Sequence, residues 1–138
     1  MGHGGIYCTV PLDYQAIREE LTAVGVDSQK FFDKRYRIQA IIGKGQRGFV
    51  FMVTDSSKDH ARSAIKVISP KLASDEKLRE RIFRSVDLCR NLKHQNIVTI
   101  SQHAKADSGL WYYKMEFVNG FSLERILHDE KCPELNFQ

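Results

Sequence analysis

The chain has 138 residues, 42% of them hydrophobic and 28% charged, with a formal net charge of +4 and a pI near 9.0. That is apolar material for one modest domain, and no apolar run reaches the length of a membrane-spanning helix. Lysine and arginine alternate with aspartate and glutamate along most of the chain, which speaks for a solvated surface and against a nucleic-acid binder, whose charge would be concentrated.

Residues 1–33 come first. Met1-Gly2-His3-Gly4-Gly5-Ile6 lacks the basic-then-apolar order of a secretory signal, and position 6 lacks the Ser or Thr that a myristoylation pattern prefers. Tyr14, Ile17, Leu21 and Val24 recur at spacings of three and four, which puts them on one face of a short helix that Gly25 can stop. Asp27-Ser28 suits the cap of a further turn carrying Phe31 and Phe32. A small sheet needs cover for its apolar face, so an accessory helix over that sheet is preferred to a docking element for another protein.

The next part, 34–127, reads as an α+β unit: a five-stranded antiparallel sheet with one main helix, preceded by the helical extension. Strands are expected at 36–43, 48–55, 62–69, 97–104 and 110–117, and the helix over about 74–92. Gly43-Lys44-Gly45-Gln46-Arg47-Gly48 joins the first two strands. Phe49–Thr54 after it is β-prone and offers no helix start, so this is a strand–loop–strand glycine turn, whose amides can approach phosphate oxygens where no Cβ intervenes. Asp55–His60 is polar and turn-like. Lys66 sits inside the apolar run Ser63-Ala64-Ile65-Lys66-Val67. Ser74-Asp75-Glu76-Lys77 can start the helix, which then brings Leu78, Ile82, Val86 and Cys89 near one face with Phe83 beside it. Asp107-Ser108-Gly109 marks a hairpin. Residues 128–138 form a polar tail containing Pro133 and are expected to be flexible.

From Tyr36 to Leu127 these residues resemble, in order, the amino-terminal lobe of a eukaryotic-type Ser/Thr protein kinase. The glycine loop is followed by Val50. Ala64-Ile65-Lys66 is similar to the Ala-x-Lys of the family's third strand. His94-Gln95-Asn96-Ile97-Val98 resembles the turn and fourth strand after the regulatory helix. Met115-Glu116-Phe117-Val118-Asn119-Gly120 resembles the fifth strand and hinge, and Ser122–Leu127 the helix beyond it. The resemblance implies a nucleotide cleft. Gly43, Gly45 and Gly48 would cradle phosphates and Lys66 would hold the α and β phosphates. Ile42 and Val50 would lie over the adenine, and Ala64 would leave room for it. Met115 would be the gatekeeper, and Glu116 and Val118 would offer backbone groups at the hinge.

Two departures bear on mechanism. Counting back from His94, the helix glutamate that pairs with the lysine falls at Ser85. Glu80 is about 140° off the required face and Asp87 about 200° away, at 100° per residue, so neither is a ready substitute. At the loop tip, Arg47 stands where many relatives carry an aromatic residue. Arg79, Arg81 and Arg84 on the helix read as ordinary solvation, with an acidic partner as the less favoured alternative.

His-Arg-Asp, Asp-Phe-Gly and Ala-Pro-Glu do not occur, so the catalytic-loop and metal-binding carboxylates of the family are missing and no catalytic or metal-binding residue is assigned. The chain is then a fragment, a naturally short relative or an excised piece. The parent would transfer the ATP γ-phosphate to protein Ser or Thr with magnesium. The isolated chain is expected to bind ATP weakly or not at all and to transfer nothing. The alternative is a non-catalytic kinase-like interaction or regulatory module. Expected partners are the missing second lobe, another protein or a second copy, with neither nucleic acid nor membrane. Cys8, Cys89 and Cys132 are odd in number and far apart, which points to a reducing, cytoplasmic compartment, and the five histidines have no metal-ligand spacing with them.

Overall fold

A computed structural model describes residues 19, 21–23, 25–27 and 31–128. Among the described residues six strands form, in segments rich in aromatic and β-branched residues: β1 (Phe31–Phe32), β2 (Tyr36–Gly45), β3 (Gly48–Asp55), β4 (Ala61–Ile68), β5 (Ile100–Lys105) and β6 (Trp111–Met115). They make one antiparallel sheet in the order β1-β2-β3-β4-β6-β5. Among the described residues, three helices with both ends defined accompany it: α1 (Pro70–Ala73), α2 (Glu76–Arg90) and α3 (Leu123–His128).

The α+β class and the antiparallel sheet agree with the sequence; the counts need correction. Phe31 and Phe32, expected in a turn, form a sixth strand. Phe32 pairs with Tyr36 and is buried, its ring edge-on to Tyr112 at 5.0 Å. Burying an aromatic ring outweighs the weak local preference for a turn. The helix expected over 74–92 forms as α2, and a short helix not expected from the sequence, α1, precedes it. Ser69 caps α1 with Pro70 in its first turn, and Asp75 caps α2 afresh, Oδ1 accepting from Lys77 N at 3.1 Å and Leu78 N at 3.2 Å. The strand expected from 97 starts only at Ile100, because a turn comes first: Ile97 N donates to His94 O at 3.1 Å and Asn96 N to His94 Nδ1 at 3.0 Å.

The sheet's two faces follow from strand alternation. On one, Tyr36, Ile41, Phe49, Phe51, Val53, Ile65, Val67 and Tyr112 join Phe32 in a buried core. Leu21 and Val26 of the leading segment are buried in the same core, and residues 21–23 are helical. Tyr14, Ile17, Val24 and Ser28 lie outside the described residues, as does the tail beyond His128. On the other face, α2 lays Phe83 and Val86 against Ile68, with Ile82, Ile100, Trp111 and Tyr113 partly buried beside them. The hairpin at Asp107-Ser108-Gly109 forms as expected, Gly109 at φ +90° donating its N–H to Ala106 O at 2.8 Å. Among the described residues no helix is long and apolar enough to cross a membrane.

Candidate functional site

The face under α2 collects most of the residues singled out in the sequence. Its alternation is fixed by the core on the other side: with Phe49, Phe51, Ile65, Val67 and Tyr112 facing that core, Val50, Ala64, Lys66, Tyr113 and Met115 must face the opposite way. Backbone register then arranges them in two rungs. Gly43 pairs with Val50, Val50 with Lys66, and Lys66 with Tyr113. One step along, Met52 pairs with Ala64, Ala64 with Met115, and Met115 with Ile100. Ile42 enters through a β-bulge: the register slips between Ile41, opposite Phe51, and Gly43, opposite Val50. A bulge redirects side chains, so consecutive residues divide, Ile41 buried in the core and Ile42 half-buried outside it.

The three loop glycines are not equivalent. Gly48 has φ +138°, and a Cβ there would stand 1.8 Å from Val67 O, a backbone atom of the lysine strand. This glycine is required by the close approach of β3 to β4. The approach continues into the loop tip, where Ser69 N donates to Arg47 O at 2.9 Å. Gly43 would meet only Val50, at 3.5 Å, and a Cβ at Gly45 would meet nothing within 4 Å. The open side of the loop is therefore at Gly45, and its base is bound to the strand that carries Lys66.

Lys66 is half-buried and forms no ion pair among the described residues. Ser85, where counting back from His94 places the family's glutamate, is exposed, and its hydroxyl donates to Arg81 O of its own helix at 3.1 Å. Asp87 turns to β5, with Oδ1 3.0 Å from His103 Nε2 and 3.5 Å from Arg90 Nη1. Tyr113, next to Lys66 on its rung, has its hydroxyl pushed above its usual range by burial and by Cys89, against a smaller opposing effect of Arg47. Two-residue periodicity back from Met115 is the sequence signal that puts Tyr113 on this face.

Just past β6, Glu116 donates its N–H to Thr99 O at 2.8 Å and accepts Thr99 N–H on Oε1 at 3.0 Å. Its side chain therefore serves the sheet. Val118 and Phe121 are 61% and 53% exposed. Ser122 starts α3, Oγ accepting from Arg125 N at 3.2 Å. Among the described residues no group of three His, Cys, Asp or Glu is placed to hold a metal ion.

The opposite end of the sheet holds a cluster that residue spacing did not reveal. Asp55, fully buried, accepts from Arg35 Nε at 2.9 Å and Nη2 at 2.8 Å, from Lys114 Nζ at 3.1 Å, and from Ser57 N at 3.0 Å and Oγ at 2.7 Å. Arg35, Ser57 and Lys114 hold its pKa far below the ordinary 3.8, burial opposing them. Its position after a strand suggested only a polar turn; Arg35 and Lys114 are brought in from distant parts of the chain.

Comparison with known proteins agrees with this geometry. The family described as Protein kinase domain matches residues 36–136. Serine/threonine-protein kinase pkn3 of Myxococcus xanthus is 33% identical over 96 residues, covering 70% of this chain and 17% of that protein. Serine/threonine-protein kinase PknD of Chlamydia trachomatis is 33% identical over 94 residues, 68% of this chain and 10% of its own length. The chain thus spans less than a fifth of these curated relatives. The crystal structure of the Mycobacterium tuberculosis PknI kinase domain superposes with a TM-score of 0.66 at 24% identity, covering 81% of this chain and 43% of that domain. The chain corresponds to part of a kinase domain, and by this match and its fold it belongs to the protein kinase family.

Proposed function

We propose that this chain is the nucleotide-holding lobe of a Ser/Thr protein kinase, whose complete domain transfers the γ-phosphate of ATP to a protein Ser or Thr hydroxyl. The observation that carries this is the rung Gly43–Val50–Lys66 beside the rung Ala64–Met115, all on one face. Gly45, with open space where a Cβ would be, and Lys66, with no carboxylate partner among the described residues, fit a polyphosphate. ATP would bring the reactive γ-phosphate, and magnesium would be held by carboxylates of a second lobe. Gly43, Gly45 and Gly48 shape the loop over the phosphates and Lys66 neutralises the α and β oxygens. Ile42 and Val50 cover the adenine, Ala64 makes room for it and Met115 closes the back. Glu116, with its N–H and carboxylate engaged by Thr99, offers its carbonyl to the base, and Val118 offers its N–H.

As an isolated chain the lobe transfers no phosphate. Leu88, Leu92, Ile97, Val98, Val118 and Phe121 are 42–67% exposed, apolar side chains that a second lobe, or failing that another copy, would cover. Half an adenine site buries little of the base, so the expected MgATP affinity is roughly millimolar or undetectable. Titration of MgATP followed by calorimetry and amide shifts tests this. Saturable low-micromolar binding lost in Lys66→Ala would show a complete cleft and overturn it. Light scattering across a concentration series should show association that Phe121→Glu reduces; strict monomers at every concentration would refute the assignment of these apolar side chains to a contact.

A second reading, a non-catalytic interaction module, is favoured by Ser85, whose hydroxyl is turned back onto Arg81 O. The readings separate on Ser85→Glu. A lobe built for nucleotide should bind MgATP more tightly once the carboxylate is restored, and a module that has abandoned nucleotide should not respond.

A further inference from the structure

The two halves of α2 are attached to the sheet by different means. The N-terminal half is built into the core. Asp75 caps it, Arg79 Nη1 donates to Ala73 O at 2.8 Å, the Arg79 guanidinium lies 4.8 Å from the Trp111 ring centroid, and buried Phe83 packs 5.4 Å from the same ring. Beyond Val86 that support thins. Leu88 is 67% exposed and Leu92, just past the helix, 49%. An open hollow of about 670 Å³ separates Asp87, Arg90, Asn91 and Lys93 from Thr99, Ile100 and Ser101 at the start of β5.

One polar side-chain pair joins this half to β5. Asp87 Oδ1 lies 3.0 Å from His103 Nε2, and the His103 ring is stacked on Phe83 at 4.6 Å between centroids. Arg90 holds the same carboxylate oxygen from within the helix at 3.5 Å. On the side of the rungs there is no counterpart, since Ser85 bonds to Arg81 O and Lys66 has no ion pair among the described residues.

We propose that the Asp87–His103 latch, in place of a lysine–carboxylate pair at Lys66, sets the position of the C-terminal half of α2 against the sheet. His103 is then a positioning residue, acting through Asp87, and it keeps that carboxylate on the β5 side, away from Lys66. This inference rests on the helix and the sheet and is independent of whether the chain binds nucleotide.

Hydrogen exchange followed by mass spectrometry on the 138-residue chain tests it. The pair is partly exposed, so the effect is local and modest: amides of residues 86–91 should exchange about three- to fivefold faster in His103→Ala and in Asp87→Ala. Amides of β3 should be unchanged. The double variant should be no faster than either single one, because both remove the same contact. His103→Gln, whose side-chain amide can still donate to Asp87, should restore most of the protection. Unchanged exchange at 86–91, additive effects in the double variant, or equal acceleration in β3 and α2 would each overturn the proposal. Should His103→Ala fail to fold, Asp87→Ala decides alone, since it truncates a half-exposed side chain and removes the acceptor.

Discussion

Phe51 and Val50 are neighbours on β3, as Ile65 and Lys66 are on β4, yet Phe51 and Ile65 are 0% exposed while Val50 and Lys66 stay half-buried. The same strands thus present a closed face and an open one. The closed face has the aromatic and aliphatic core, covered by Phe32, Leu21 and Val26, and the Asp55 ion cluster at its edge. Among the described residues no buried side-chain N or O lacks a hydrogen-bond partner. The open face has the glycine loop and Lys66, and after β6 the chain leaves Val118 and Phe121 exposed. Rigidity on one side allows incompleteness on the other. A loop and a lysine left short of contacts keep their place because the backbone between them is fixed from behind.

Substitutions in the closed face's core and ion cluster should therefore unfold the lobe, and substitutions at Gly45 and Lys66 should spare it. The largest effect is expected at Asp55. Asp55→Asn leaves Lys114, itself 7% exposed, without a counter-ion and should cost about 3–5 kcal/mol in urea unfolding. The same carboxylate predicts acid sensitivity. Its native pKa is held far below the unfolded value near 3.8. The unfolded chain takes up this proton first as pH falls, so the stability from Asp55 is full above that value and is lost progressively below it. Melting temperatures measured from pH 6 to pH 2 should fall in the wild type with a component that Asp55→Asn lacks. Parallel curves would show that other carboxylates dominate.

Next come the glycines, where the sharpest contrast lies within one loop. Gly48→Ala drives a Cβ into Val67 O at a φ that side chains rarely adopt, and should cost about 3 kcal/mol. Gly45→Ala meets no atom within 4 Å and should change stability by less than about 0.5 kcal/mol. Equal losses at the two positions would mean that the loop is not bound to β4 as described. The smallest effect is expected at Lys66. Lys66→Ala should leave stability within about 0.5 kcal/mol while removing whatever MgATP binding the chain has. A loss of several kcal/mol would assign Lys66 to the fold.

The sequence by itself determined the strand–glycine loop–strand unit, Lys66 on the following strand, the Asp107-Ser108-Gly109 hairpin and the family to which they belong. These are local patterns, carried by β-prone apolar runs at Phe49–Thr54 and Ser63–Val67 and by the turn residues between strands. Tertiary structure decided the rest. Phe31-Phe32 became a strand because Tyr36 and Tyr112 offered a place to bury a ring. The bulge at Ile42, the requirement for glycine at 48 and the grouping of Arg35, Asp55 and Lys114 depend on how strands β2, β3, β4 and β6 approach one another. No spacing along the chain encodes those distances, because each partner is supplied by a segment remote in sequence and adjacent only after folding.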